Sequence, residues 1–164
     1  MNEYKTISSA LVADVTLLIQ AEYDAFYHYR SLSNWCRGQG YNIAADFFAS
    51  ESKDELEHAG ILERYLIDWN VPLKLPEIEC PKSSFPNLLE AIKDSYTMEA
   101  KLLFLYEMKT KKILPVDICL FSLLQEMLQR QNRAVIEYSD MFNMLKGVEA
   151  NKTNILLLES KIFA

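Results

Sequence analysis

Apolar residues recur along most of this chain at alternating spacings of three and four, which lays one continuous stripe along a helix and turns it towards a core. Four such runs are long. The first predicts a helix over about residues 8–37, with Gly38 and Gly40 beyond it as stop signals. The second spans about 42–69 and is closed by Asn70, Pro72 and Pro76. A long connection follows through Cys80-Pro81-Lys82-Ser83-Ser84. The third helix is predicted over about 86–112, opened by Pro86, whose missing donor would be unpaired in a first turn anyway. The fourth, over about 117–146, has Asp117 as its N-cap and Gly147 as its end. A polar break at 151–154 precedes a short amphipathic stretch over about 155–163. Short first and last connections with a long middle one suit a single all-α domain over 1–164. Its expected architecture is a four-helix bundle with one long crossover and a short C-terminal fifth helix.

Each long stripe is interrupted near its middle. The first reads Leu11, Val15, Leu18, Glu22, Ala25, Tyr29, Leu32, Cys36, and the second Ala44, Phe48, Glu51, Glu55, His58, Leu62, Tyr65, Trp69. Glu55 and His58 stand one turn apart on one face. The third reads Leu88, Ile92, Ser95, Glu99, Leu102, Tyr106, and the fourth Leu120, Leu124, Met127, Gln131, Ala134, Tyr138, Met141, Leu145. Three carboxylates, an imidazole and an amide therefore fall near the midpoints of four helices expected to pack together. Ionised carboxylates in a core are costly without compensation, or are forced to protonate. Two divalent cations against three carboxylates leave a nearly neutral site. Carboxylates with one imidazole suit iron or manganese better than structural zinc. A Glu on one helix with Glu-x-x-His on the next is the donor pattern of di-iron carboxylate bundles.

Taken singly, each residue has a plainer reading. A Glu in a stripe is commonly an edge residue reaching water, and Glu-x-x-His is frequent on ordinary helices. Glu51 and Glu57 read as solvated, and the tyrosines as packing. The coincidence of four interrupted stripes is what favours metal.

Composition narrows the alternatives. Four Gly and five Pro in 164 residues are too few for a many-turned sandwich or barrel. A net charge of −6 argues against nucleic acid as a partner. Cys36, Cys80 and Cys119 form neither a disulfide framework nor a zinc pattern, so a reducing, cytoplasmic setting is expected. The opening Met-Asn-Glu-Tyr-Lys-Thr has no secretory-leader pattern, and no apolar run is long enough for a membrane span.

These residues resemble the ferritin family, specifically its bacterial non-haem branch. Glu22-Tyr23-Asp24-Ala25-Phe26-Tyr27-His28-Tyr29 resembles the ferritin run in which a ligand Glu is followed seven residues later by Tyr. Asn34-Trp35-Cys36 and Ala44-Ala45-Asp46-Phe47-Phe48 resemble the bacterial turn between the first two helices. Asp54-Glu55-Leu56-Glu57-His58 looks like the Glu-Glu-x-x-His segment, and Tyr96-Thr97-Met98-Glu99 like the third-helix ligand region. Leu124-Gln125 with Gln131 matches the fourth helix, and Asn154-Ile155-Leu156-Leu157-Leu158-Glu159 the fifth. The resemblance implies that Glu22, Glu55 and His58 bind one iron, with Glu55 bridging to a second held by Glu99 and flanked by Gln131. It implies Tyr29 as electron donor or hydrogen-bond partner. The implied activity is oxidation of Fe(II) by dioxygen or peroxide, with ferric mineral stored in a homo-oligomeric cage of twenty-four subunits, and no haem.

The departures are concentrated on the fourth helix, which reads Arg130-Gln131-Asn132-Arg133-Ala134. Arginines and an alanine occupy positions where the family carries carboxylates of a third iron site, so that site is expected to be absent. The arginines would also slow iron transfer or weaken core nucleation. Leu56 stands where bacterioferritins have their haem-ligating Met. A rubrerythrin-like di-iron oxidase or peroxidase without storage is a second reading, lowered by the lack of a Cys-x-x-Cys pair. A metal-free structural bundle is a third.

Overall fold

The computed structural model describes residues 7–148 and 151–164. The opening residues read above for a leader lie outside the described residues. Among those described, five helices and no strands are present: α1 (Ser9–Gln39), α2 (Asn42–Asp68), α3 (Leu88–Ile113), α4 (Ile118–Gly147) and α5 (Lys152–Ile162). No helix of the described residues is long and apolar enough to cross a membrane.

The helix ends follow from local chemistry. Ser8, Asn87 and Asp117 accept the backbone N–H of Leu11, Glu90 and Leu120, capping α1, α3 and α4. Pro86 therefore lies outside α3, because Asn87 supplies the cap. Helix α1 continues through Gly38 to Gln39, and the stop is Gly40, whose φ of 85° a side chain would resist. Its N–H and that of Tyr41 reach back to the carbonyls of Arg37 and Cys36. Helix α5 starts earlier than the apolar pattern predicts, at Lys152, because the Asn151 side chain accepts from Thr153 and Asn154.

Helix α1 packs along α2 and α3 along α4, and the two pairs meet across α1 and α3. The crossover from 69 to 87 joins the pairs. Val71 and Leu73 at its start pack on one apolar cluster, and Phe85 near its end is buried in the other. One cluster gathers Leu11, Val15, Leu18, Leu62, Leu120 and Leu124; the other gathers Ala25, Leu32, Phe48, Leu88, Ile92 and Leu145. The core is thus divided in two along the bundle axis, between Ile19 and Ala25 of α1 and between Ile92 and Leu102 of α3.

Helix α5 is held against the end of the bundle by Ile155, Ile162 and Phe163, which join the second cluster. It also supplies what α2 lacks. The N-cap of α2, Tyr41, makes no side-chain capping bond, and the buried Glu159 carboxylate instead accepts the Ala44 N–H at 2.8 Å. An anion at that helix start is favoured by the partial positive charge there.

Candidate metal centre

The gap between the two apolar clusters is filled by the stripe-interrupting residues. Glu22, Glu55, Glu99 and Gln131 are all buried, and His58 is nearly so. One helix contributes each element of the group: Glu22 from α1, Glu55 and His58 from α2, Glu99 from α3, Gln131 from α4.

Two subgroups result. In the first, ligand atoms of Glu22, Glu55 and His58 lie within 4.8 Å of one another. His58 Nδ1 is 3.0 Å from Glu55 Oε2 and 3.7 Å from Glu22 Oε2. In the second, Glu99 accepts hydrogen bonds from the Tyr29 hydroxyl and from Gln131 Nε2, which also reaches the Glu99 carbonyl at 3.1 Å. Glu99 stands outside the first cluster but feels the charge of Glu22 and acts on Glu55.

The electrostatics are those of a site short of positive charge. Burial lifts the Glu55 carboxyl well above its ordinary range, and the neighbouring Glu22 pushes it further. Burial likewise lifts Glu99 to about 7, although Tyr29 and Gln131 pull the other way by stabilising the anion. Burial opposes charge on His58, yet Glu22 and Glu55 outweigh it and hold the imidazolium to about pH 10. That imidazolium is the cation the metal-free site supplies for itself. A bound metal would displace its proton. Glu22 Oε2 is buried with no hydrogen-bond donor, an acceptor that a cation would satisfy.

The apolar pattern of α3 reads Tyr106 as packing, but its hydroxyl donates to Glu22. It completes a reciprocal arrangement: Tyr29 of α1 bonds Glu99 of α3, while Tyr106 of α3 bonds Glu22 of α1. Each tyrosine sits two turns beyond a stripe carboxylate on its own helix, and the antiparallel pairing of α1 with α3 exchanges their partners. The spacing of Glu22 to Tyr29 and Glu99 to Tyr106 was the signal. Glu51 differs from its solvated reading too: it is partly withdrawn and accepts from Tyr138 at 3.1 Å. Glu57 is exposed, and so are Arg130 and Arg133 on α4.

A family model described as a ferritin-like domain matches residues 16–148. Over 93 residues the chain is 29% identical to the bacterial non-heme ferritin of Staphylococcus epidermidis, covering 57% of this chain and 56% of that protein. Over 78 residues it is 30% identical to the bacterial non-heme ferritin of Staphylococcus aureus, covering 48% and 47%. The chain thus matches about half the length of these curated relatives. Among solved structures, a humanized archaeal ferritin superposes with a TM-score of 0.91 at 20% identity, over 96% of each chain. An open-pore ferritin from Archaeoglobus fulgidus gives 0.90 at 20% identity, over 95% of this chain and 96% of that one. These superpositions carry the four-helix bundle with its short fifth helix, and the family match and the relatives together place the chain in the ferritin family, on its bacterial non-haem branch.

Proposed function

We propose that this chain, acting as a single domain, is an iron-storage ferritin that oxidises Fe(II) at a centre of two irons within each subunit. The observation that carries the proposal is the convergence of Glu22, Glu55 and His58 in the polar layer, with Glu22 Oε2 lacking any donor. In this reading those three hold one Fe(II). Glu55 bridges to a second, held by Glu99 and flanked by Gln131. Hard carboxylate oxygens favour Fe(III) over Fe(II), which promotes electron loss to dioxygen or peroxide. Tyr29 and Tyr106 hold the two terminal carboxylates in place through their hydroxyls, so the layer is organised before iron arrives. No haem is invoked.

The product is stored inside a homo-oligomeric cage, for which twenty-four subunits is the proposed size, and the proposed setting is the cytoplasm. Large apolar side chains left in water support association: Phe104 is 62% exposed, Ile118 73% and Leu157 75%. Neither nucleic acid nor membrane is a proposed partner. A third iron site is not part of the reading, since Arg130, Arg133 and Ala134 bring no carboxylate to α4 beside Gln131. A rubrerythrin-like enzyme is disfavoured because the matched family and relatives are ferritins.

Stopped-flow mixing of metal-free protein with Fe(II) in air tests the centre. The wild type should oxidise iron in a fast phase that saturates near two per chain, and Glu55→Ala should lose that phase while remaining folded. Equal rates for the two proteins would refute the assignment.

A further inference from the structure

A line of rings and hydroxyls runs from Glu99 towards the surface of the bundle, and the centre as proposed uses only its inner end. Tyr29 donates to Glu99 at its inner end. Its ring stacks on that of Tyr138, with centroids 5.7 Å apart and planes 13° from parallel. Tyr138 donates to Glu51 Oε2 at 3.1 Å. Both phenol rings are fully buried, with Phe48 stacked on Tyr29 at 6.0 Å and Phe47 edge-on to Tyr138 at 6.3 Å. Water is therefore kept from both rings, while Glu51 at the outer end is only partly covered.

We propose that Tyr138 is redox-active, the outer electron donor of a two-tyrosine relay in which Glu51 takes its phenolic proton. The inference rests on the ferroxidase reading of the centre. When dioxygen or peroxide reduced there draws one electron from Tyr29, the Tyr29 proton moves along its hydrogen bond to Glu99, leaving a neutral phenoxyl radical. Tyr138 then passes an electron to Tyr29 through the stacked rings. Tyr29 takes its proton back from Glu99, and the Tyr138 proton moves to Glu51. The net result is one electron delivered to the oxidant, a phenoxyl radical on Tyr138 and a neutral Glu51; only O–H bonds are broken and formed. A further electron can then leave Tyr29. Reducing dioxygen to two waters takes four electrons and four protons: two Fe(II) and the tyrosine pair supply the electrons, and solvent supplies the protons. Glu51 suits its role, because burial and the nearby Glu137 raise its carboxyl to about 7 even though Tyr138 stabilises its anion. It is thus partly ionised, and ready to accept a proton, at neutral pH.

The test is rapid freeze-quench electron paramagnetic resonance on the full chain after two Fe(II) per subunit are added in air, with released peroxide measured in parallel. Wild type, Tyr138→Phe, Glu51→Gln and Tyr29→Phe are compared, and Glu55→Ala serves as the control for the centre. Tyr138→Phe keeps the stacked ring and removes only the proton-bearing oxygen. It should lower the radical yield per iron oxidised about twofold, shorten the radical's life and raise released peroxide. Glu51→Gln keeps an acceptor for Tyr138 but removes the base, and should also shorten the radical's life. A merely structural role for Tyr138 would move neither radical yield nor lifetime. The relay is overturned if both variants match the wild type in radical and peroxide while iron is oxidised, or if the wild type oxidises iron without any radical. Should the wild type oxidise iron no faster than Glu55→Ala, the ferroxidase reading itself fails, and the relay falls with it.

Discussion

Replacing Glu99 with glutamine should stabilise the metal-free protein at pH 8 and abolish most of its response to Fe(II). Glu99 is wholly buried, and burial is the main reason its carboxyl is lifted from 4.5 to about 7. A folded value above the unfolded one means that the folded chain holds the proton more tightly. The stability from this group is then fully present below about 4.5 and is lost as pH rises through about 7. At pH 8 the metal-free fold carries a buried anion, and the gap between the two values corresponds to about 3 kcal/mol. Glutamine carries no charge to bury. Its amide oxygen still accepts from Tyr29, and Gln131 can turn its own amide to present an oxygen to the new NH2 group, giving up its bond to the backbone carbonyl of residue 99. The variant should therefore gain up to about 3 kcal/mol at pH 8, a rise in Tm of roughly 6–12 °C for a chain of this size. At pH 5 the two proteins should nearly coincide. Thermal unfolding by circular dichroism at both pH values, with and without Fe(II) under argon, measures all of this. A metal-free variant less stable than wild type at pH 8, or one stabilised equally by Fe(II), would refute the reasoning.

Three further substitutions probe the frame around the centre. Tyr106→Phe leaves the buried Glu22 without its donor and should cost about 1–3 kcal/mol in urea unfolding of the metal-free protein, a loss that Fe(II) reduces by satisfying the same carboxylate. Asp14 of α1 is 4% exposed and meets the amines of Lys109 and Lys112 of α3, each at 2.6 Å. Asp14→Ala should cost about 3 kcal/mol by stranding the largely buried Lys109. Burial works against the Asp14 anion but the two lysines prevail, lowering its carboxyl below 3.8. The wild-type advantage should therefore be present above about pH 4 and fade as pH falls further. Glu159→Ala removes the acceptor for the Ala44 amide and should cost about 1 kcal/mol, read as faster hydrogen exchange at the start of α2 and along α5.

Much of this arrangement was legible in the sequence, for a physical reason. One polar residue in an apolar stripe can sit at its edge, but four stripes interrupted near their middles point to one shared layer, and Glu22, Glu55, Glu99 and Gln131 are all buried in it. The partners of those residues were less visible. A tyrosine in an apolar stripe reads as packing, and only the antiparallel pairing of α1 with α3 brings the Tyr106 hydroxyl to Glu22 and the Tyr29 hydroxyl to Glu99. Glu51 read as solvated because its cover comes from the neighbourhood of Tyr138 on α4, which a single helical pattern cannot contain. Glu159 was part of a short fifth-helix match, and its capping of α2 spans more than a hundred positions of the chain. The starts of α3 and α5 lie two and three residues from the expected ones, where a polar cap, Asn87 or Asn151, outranks a proline or an apolar pattern.

Aerobic loading of metal-free protein with excess Fe(II), followed by size-exclusion chromatography with iron analysis across the peaks, tests the central claim most directly. Iron far above two per chain, eluting with a large assembly, is the predicted result. Iron stopping near two per chain would keep the centre but contradict storage, and no retained iron would contradict both.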